Sequence, residues 1–93
     1  MKLHQLKIFD CAARHLNVTS AARELRMSQP AVSLQLKHLE QEFGTKFYNT
    51  SNRGMELTQH GRAFLESVRP LLADLDKIDA RFKARNEPKP GSA

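Results

Sequence analysis

The sequence holds no tryptophan, one tyrosine and one cysteine, and aromatic residues make up only 6% of its 93 positions. Cys11 has no partner in its own chain, which excludes an intrachain disulfide scaffold. It lies beside the apolar stripe of the first helical segment and reads as a small buried residue rather than a redox sensor. His4, His15, His38 and His60 are scattered without metal-ligand spacing, so no metal site is expected. Apolar runs stop at three residues, too short for a membrane span. The opening Met-Lys-Leu-His-Gln lacks the continuous apolar stretch of a signal peptide. A cytoplasmic location is the expectation. Neither a glycine-rich phosphate loop nor a serine–histidine–aspartate constellation occurs. Ser20, Ser28 and Ser33 fall where caps and contacts are needed, not nucleophiles. No catalytic residue or cofactor is expected, and the chain reads as a non-enzyme. A chain this short fits one small domain and buries roughly 60% of its unfolded surface. A partner surface would add useful stability.

What is present is positive charge, with 15 Lys and Arg against 10 Asp and Glu. Its distribution says more than its total. Between Arg14 and Lys37 stand Arg14, Arg23, Arg26 and Lys37 with a single acid, Glu24, while Glu40 and Glu42 follow soon after. A basic region beside a more acidic one suggests a face turned toward a polyanion.

Apolar periodicity predicts four helices and one hairpin. Leu6, Phe9, Ala13 and Leu16 give one face of a helix from Leu3 to Leu16. Thr19 reads as the N-cap of a short second helix from Ser20 to about Arg26, with Ala22 and Leu25 inward. Ser28 can cap a third helix, with Pro30 in its first turn, where a missing N–H does no harm. Val32, Leu36, Leu39 and Phe43 form its buried stripe, and Gly44 stops it. Lys46–Tyr48 and Met55–Leu57 read as two strands around the turn-rich Asn49–Gly54. Thr58 caps a last helix reaching Arg85, in which Phe64, Val68, Leu71, Leu75, Ile78 and Phe82 alternate at spacings of four and three. That is a heptad seam, the pattern of a helix that pairs with a second chain. Pro70 lies inside it and predicts a kink, or a break into two helices. Glu87–Ala93, with two prolines and a glycine, reads as a tail or the start of a linker.

Two short helices joined by a tight turn and followed by a two-stranded wing form a winged helix-turn-helix. The expected fold is therefore mainly α: three helices and a wing over residues 1–58, a long dimerisation or linker helix over 59–85, and a tail over 86–93. Ala22 is small where the paired helices touch, and Leu25, Met27 and Val32 fill the wedge between them. On the third helix Pro30, Ser33, Leu34 and Lys37 lie opposite the buried stripe, with Gln29 beside them. Such a face suits a major groove: Gln reads adenine, Ser and Lys bond phosphate, and Pro and Leu touch a thymine methyl.

The run from Thr19 to Gly44, TSAARELRMSQPAVSLQLKHLEQEFG, resembles the DNA-binding domain of LysR-type transcriptional regulators. So do Asn52-Arg53-Gly54, Leu57-Thr58 and Gly61. The resemblance spans about residues 3–85. It implies sequence-specific binding of double-stranded DNA by a homodimer whose long helices pair antiparallel. By that resemblance Gln29, Pro30, Ala31, Ser33 and Leu34 approach base edges and adjacent phosphates, and Lys37 is placed for phosphate. Arg53 matches the wing arginine that reaches toward the minor groove. Thr19 and Ser20 offer donors to phosphate.

Two positions depart from the family's pattern. Leu34 replaces a polar or basic base-reading side chain, which implies a different sequence preference. Asn49-Thr50 replaces an acid–arginine pair at the entry to the wing, leaving Thr50 as the weaker phosphate contact. Family members also carry a larger effector-binding domain that binds a small-molecule inducer. Nothing after Arg85 is expected to fold into one, so the inducer response belongs to a longer parent, and the chain is read as an excised fragment or a truncated module. Two other readings stay open. One is an interaction module forming mixed dimers with full-length regulators through the Phe64–Phe82 seam. The other is a different winged-helix regulator that reads mainly through its wing or first helix.

Overall fold

The computed structural model describes residues 1–86, with side chains through residue 83. Its elements run α1 (Leu3–His15), α2 (Val18–Leu25), α3 (Gln29–Phe43), β1 (Tyr48–Ser51), β2 (Gly54–Leu57) and α4 (Gln59–Asn86). This is the expected winged helix-turn-helix with a long final helix. The expected tail, from residue 87 onward, lies outside the described residues.

Local chemistry sets each boundary. Leu16 ends α1 by taking the left-handed conformation (φ 50°), with its N–H donating to Ala12 O at 2.8 Å. That turn carries its side chain out of the expected apolar face and into solvent. The α2 cap is Asn17, not Thr19: Asn17 Oδ1 accepts the Ser20 N–H at 2.9 Å. Thr19 therefore lies one residue inside the first turn. Ser28 caps α3 as expected, accepting the Ala31 N–H at 3.2 Å, and Gly44 terminates it.

The strands lie later than the periodicity suggests. Tyr48–Ser51 pairs antiparallel with Gly54–Leu57, and the turn shrinks to Asn52-Arg53. Lys46 and Phe47 are drawn away from the sheet by other partners. Glu40 Oε2 accepts the Phe47 N–H at 2.7 Å and the Tyr48 N–H at 3.3 Å. Phe47 O accepts the Thr58 N–H at 3.0 Å, and Lys46 O accepts the Thr58 hydroxyl at 2.6 Å. The wing is fastened to the helices by a bond from the Met55 N–H to Leu16 O at 2.8 Å. Gly54 is obligatory there. Its φ is 110°, and a Cβ would stand 2.4 Å from Leu16 O.

The core gathers Phe9, Ala12, Ala21, Val32, Leu36 and Leu39 from all three short helices. Ala12 and Ala21 are both fully buried in it. The aromatic part extends the core to α4: Phe47 stacks on Phe64 at 4.5 Å between ring centroids, and Phe9 meets both edge-on at 5.7 and 5.4 Å. Phe43, expected inside, stands at the rim, half exposed, within 6.0 Å of Phe47 and 5.5 Å of Phe64.

The start of α4 lies against this cluster, and Leu65 and Val68 are buried there. The helix runs unbroken through Pro70, so the two-helix alternative does not hold. Cys11 is buried at 1% exposure. Burial, followed by the hydrogen bond to Glu24 and that residue's charge, pushes its thiol up to about 11. It is a neutral thiol at pH 7, not a reactive thiolate.

Gly61 touches Phe47 so closely that a Cβ would fall 1.9 Å from the Phe47 carbonyl oxygen. Alanine is otherwise the better helix former by about 1 kcal/mol. Gly61→Ala is nonetheless expected to lose about 1–3 kcal/mol through overpacking; an unchanged or raised denaturation midpoint would contradict this contact. Glu24 supplies a second prediction. The Arg14 guanidinium, then Cys11 and His15, pull its carboxyl from 4.5 down to about 2. A carboxylate with a lowered folded pKa stabilises the fold above its unfolded value, and that contribution is lost as pH falls through the folded one. Acid titration between pH 4.5 and 2 should therefore destabilise the wild type more steeply than Glu24→Gln. Equal slopes would count against the pairing.

Candidate nucleic-acid interface

Capping of α2 by Asn17 leaves the N–H groups of Val18 and Thr19 in a first turn that has no acceptor within its own helix. That turn opens onto a cleft of about 470 Å³ between α2, the start of α3 and β1. Thr19, Gln29, Ser33 and Thr50, all expected site residues, line it together. Two further lining residues, Lys46 and Tyr48, were not anticipated. In the sequence they read as part of a strand, and nothing in their spacing signals a site. The Lys46 ammonium sits 5.3 Å from the centroid of the Tyr48 ring. Burial, with the Glu40 carboxylate behind it, pushes the Tyr48 phenol above its ordinary value, so its hydroxyl is a neutral donor at pH 7. No acidic side chain lines the cleft among the described residues. A helix N-terminus, several hydroxyls and one ammonium suit an anion with several acceptor oxygens.

The other expected residues extend the surface outward. Pro30, Leu34 and Lys37 form an exposed ridge along α3, and Ala31 is half-buried beside them. Leu34 is 50% exposed, a large apolar side chain left in water on the helix face free of core contacts. Arg53 is exposed in the two-residue turn at the wing tip, outside the cleft, where its N–H donates to Ser51 Oγ at 3.2 Å. Ser20 is half-buried and its N–H is taken by Asn17. Only its hydroxyl remains available.

The basic run is less free than its sequence suggests. Arg14 Nη2 binds Glu24 Oε2 at 2.7 Å, and its Nε lies 3.3 Å from Asp10 Oδ2. Hydrogen bonding to Glu24 raises its already high pKa. Arg14 therefore serves the α1–α2 contact, and the outward cations of that run are Arg23, Arg26 and Lys37.

The heptad seam divides. Val68 is 3% exposed within its own chain, which removes it from the expected dimer surface, and Phe64 is largely spent on Phe9 and Phe47. The first turns of α4 lie over the aromatic cluster, so their apolar residues belong to the domain's own core. Beyond Pro70 one side of the helix still faces the domain, where half-buried Leu72, with Asp76, lines a pocket beside Lys7, Cys11 and Leu25, while the other side lies open among the described residues. Leu71, Ile78 and Phe82 stand 47%, 54% and 49% exposed, with Leu75 half-buried between them.

The sequence profile described as "bacterial regulatory helix-turn-helix protein, lysR family" matches residues 3–62. The chain belongs to this LysR family. Among curated relatives it is 38% identical over 84 residues to the glycine cleavage system transcriptional activator of Escherichia coli K12. It is 44% identical over 82 residues to the transcriptional regulator CbbR of Rhodospirillum rubrum. These alignments cover 90% and 88% of the chain, but the chain spans only 28% of either relative's length. The fold matches the chain in a crystal structure of a CbnR DNA-binding-domain–DNA complex with a TM-score of 0.80 at 37% identity, covering 94% of this chain and all of that one. A BenM DNA-binding domain in complex with catB site 1 DNA matches with a TM-score of 0.84 at 27% identity, covering 96% of this chain and all of that one. Within this LysR frame the three helices, two-stranded wing and long final helix are the shared architecture.

Proposed function

We propose that this chain is the DNA-reading portion of a LysR-type transcriptional regulator, acting on double-stranded DNA as a homodimer. One observation carries the reading. The fold gathers Thr19, Gln29, Ser33 and Thr50 around one anion-compatible cleft and continues it into the exposed Leu34–Lys37 ridge. DNA-bound structures of two similar domains support it.

In this reading residues 1–58 read DNA, the first turns of α4 complete that head's core, and the helix beyond Pro70 pairs the subunits. The N-terminal part of α3 enters the major groove. Gln29 and Ser33 reach base edges or the flanking phosphate, and Pro30, Ala31 and Leu34 make apolar contact with thymine methyls. Thr19, Ser20 and Thr50 hold the backbone phosphate, with Lys46 and the Tyr48 hydroxyl beside them, and Lys37 takes a phosphate further along. Arg53 enters the minor groove, preferring A·T-rich sequence. Leu71, Leu75, Ile78 and Phe82 form the pairing face of α4. Two reading heads related by a twofold axis call for an interrupted inverted repeat with half-sites about 34 Å apart, or a multiple of that. The protein acts in the cytoplasm and catalyses nothing. Inducer binding belongs to a longer parent, since the chain spans about a quarter of the length of its curated relatives.

Gln29→Ala should cost about 1–3 kcal/mol on the preferred duplex and much less on random DNA. Lys37→Ala should weaken both alike and flatten the salt dependence. Fluorescence anisotropy at several salt concentrations separates the two, and equal losses from Gln29→Ala on both duplexes would contradict base reading. Replacing Leu71 and Leu75 with aspartate should abolish dimers in sedimentation equilibrium, whereas a dimer persisting at micromolar concentration would refute the pairing face. A wild-type chain that is monomeric alone but pairs with a full-length regulator would favour the mixed-dimer module instead.

A further inference from the structure

At the junction of α1 and α2, away from the cleft, three side chains of ligand type converge. Cys11 and His15 are four residues apart on α1 and so share one face. Glu24 meets them from α2. Cys11 Sγ donates to Glu24 Oε2 at 3.2 Å, and His15 Nε2 lies 3.0 Å from Glu24 Oε1. The three ligand atoms all fall within 4.8 Å of one another. We propose that Cys11, His15 and Glu24 form a binding site for one zinc-class divalent cation that clamps α1 to α2.

The geometry suits the ion. Tetrahedral zinc with sulfur, nitrogen and oxygen ligands holds its donor atoms about 3.3–3.6 Å apart, so closing the site needs side-chain movements of about an ångström. The set balances in charge as well: a thiolate and a carboxylate neutralise the dication, and the neutral imidazole supplies the third bond. The thiol proton leaves to water as the sulfur–metal bond forms. Access comes from the solvent side, where His15 and Glu24 are 32% and 46% exposed while Cys11 forms the buried floor. The fourth coordination position is left to water. Arg14 is the competitor, since its guanidinium holds Glu24 in the ion-free state. It has a second carboxylate to turn to, because its Nε already lies 3.3 Å from Asp10 Oδ2.

The clamp also has a mechanical consequence. The residue after His15 is Leu16, whose carbonyl carries the wing, and the next is Asn17, which caps α2 at the cleft. An ion joining the last turn of α1 to α2 stiffens the support of both. All three ligands come from α1 and α2, with Leu72 and Asp76 of α4 lining the same pocket, and the site does not depend on the DNA-reading proposal.

Titration of the reduced 93-residue chain with Co²⁺, followed by competition with Zn²⁺, tests it in the absence of DNA. One ion per chain is expected, with a thiolate-to-cobalt charge-transfer band and the intense visible bands of a tetrahedral ion. His15→Ala and Glu24→Gln, both at solvent-exposed positions, should weaken binding by at least about tenfold. Arg14→Gln should keep the band, because Arg14 competes for Glu24 and does not ligate. Zn²⁺ should raise the thermal midpoint of the wild type and of Arg14→Gln but not of His15→Ala. Absence of the charge-transfer band in the folded wild type, its full retention in His15→Ala, or its loss in Arg14→Gln would overturn the site.

Discussion

Everything in this molecule turns on Phe47. Its ring stacks on Phe64 of α4 and meets Phe9 of α1; its N–H goes to Glu40 of α3, and its carbonyl takes the Thr58 N–H that opens α4. One residue thus fixes three helices, α1, α3 and α4, relative to each other. The closeness of α4 follows directly, because only a residue without a Cβ fits at position 61. Since the proposed pairing face also lies on α4, the same contact would set how a reading head is held relative to a second subunit. A shift of an ångström here would travel along a helix whose 28 residues span about 42 Å.

The residues that mark this family divide into two kinds of work. Glu40, Gly54, Thr58 and Gly61 build: they bind backbone groups or leave room for them. Gln29, Ser33, Lys37 and Arg53 make no such contribution, nor does Leu34, which departs from the family's pattern, and the functional proposal rests on these. Exposure of Leu34 is the clearest sign of the division. Its side chain adds nothing to the core, and the proposed reading gives it a contact in the DNA complex. Arg14 shows the reverse. It counts toward a basic face in the sequence, yet its charge is consumed by Glu24.

Much of this was legible in the residues themselves. Periodicity in α1 and α3, the Ser28 cap with Pro30 behind it, and the Gly44 stop are local signals, and local signals survive folding. Assignment of the α2 cap to Thr19 failed because Asn17 is an equally good cap and the backbone turned one residue earlier, at Leu16. The wing strands were displaced because Lys46 and Phe47 are held by Glu40 and Thr58, partners six to twelve residues away along the chain that no strand pattern reveals. The seam was read as one surface although its first third belongs to the domain's own core. A heptad records which residues are apolar, not which neighbour covers them. The Cys11–His15–Glu24 convergence is invisible in the spacing of the histidines for a similar reason, because Glu24 comes from another helix.

The most direct test of the central claim is selection of bound duplexes from a randomised pool by the purified chain, followed by sequencing of what is retained. An interrupted inverted repeat is expected, its half-sites one helical turn or a multiple apart, with A·T-rich sequence where the Arg53 wing falls. Retention of duplexes with no twofold-related half-sites, or no enrichment over the starting pool, would contradict it.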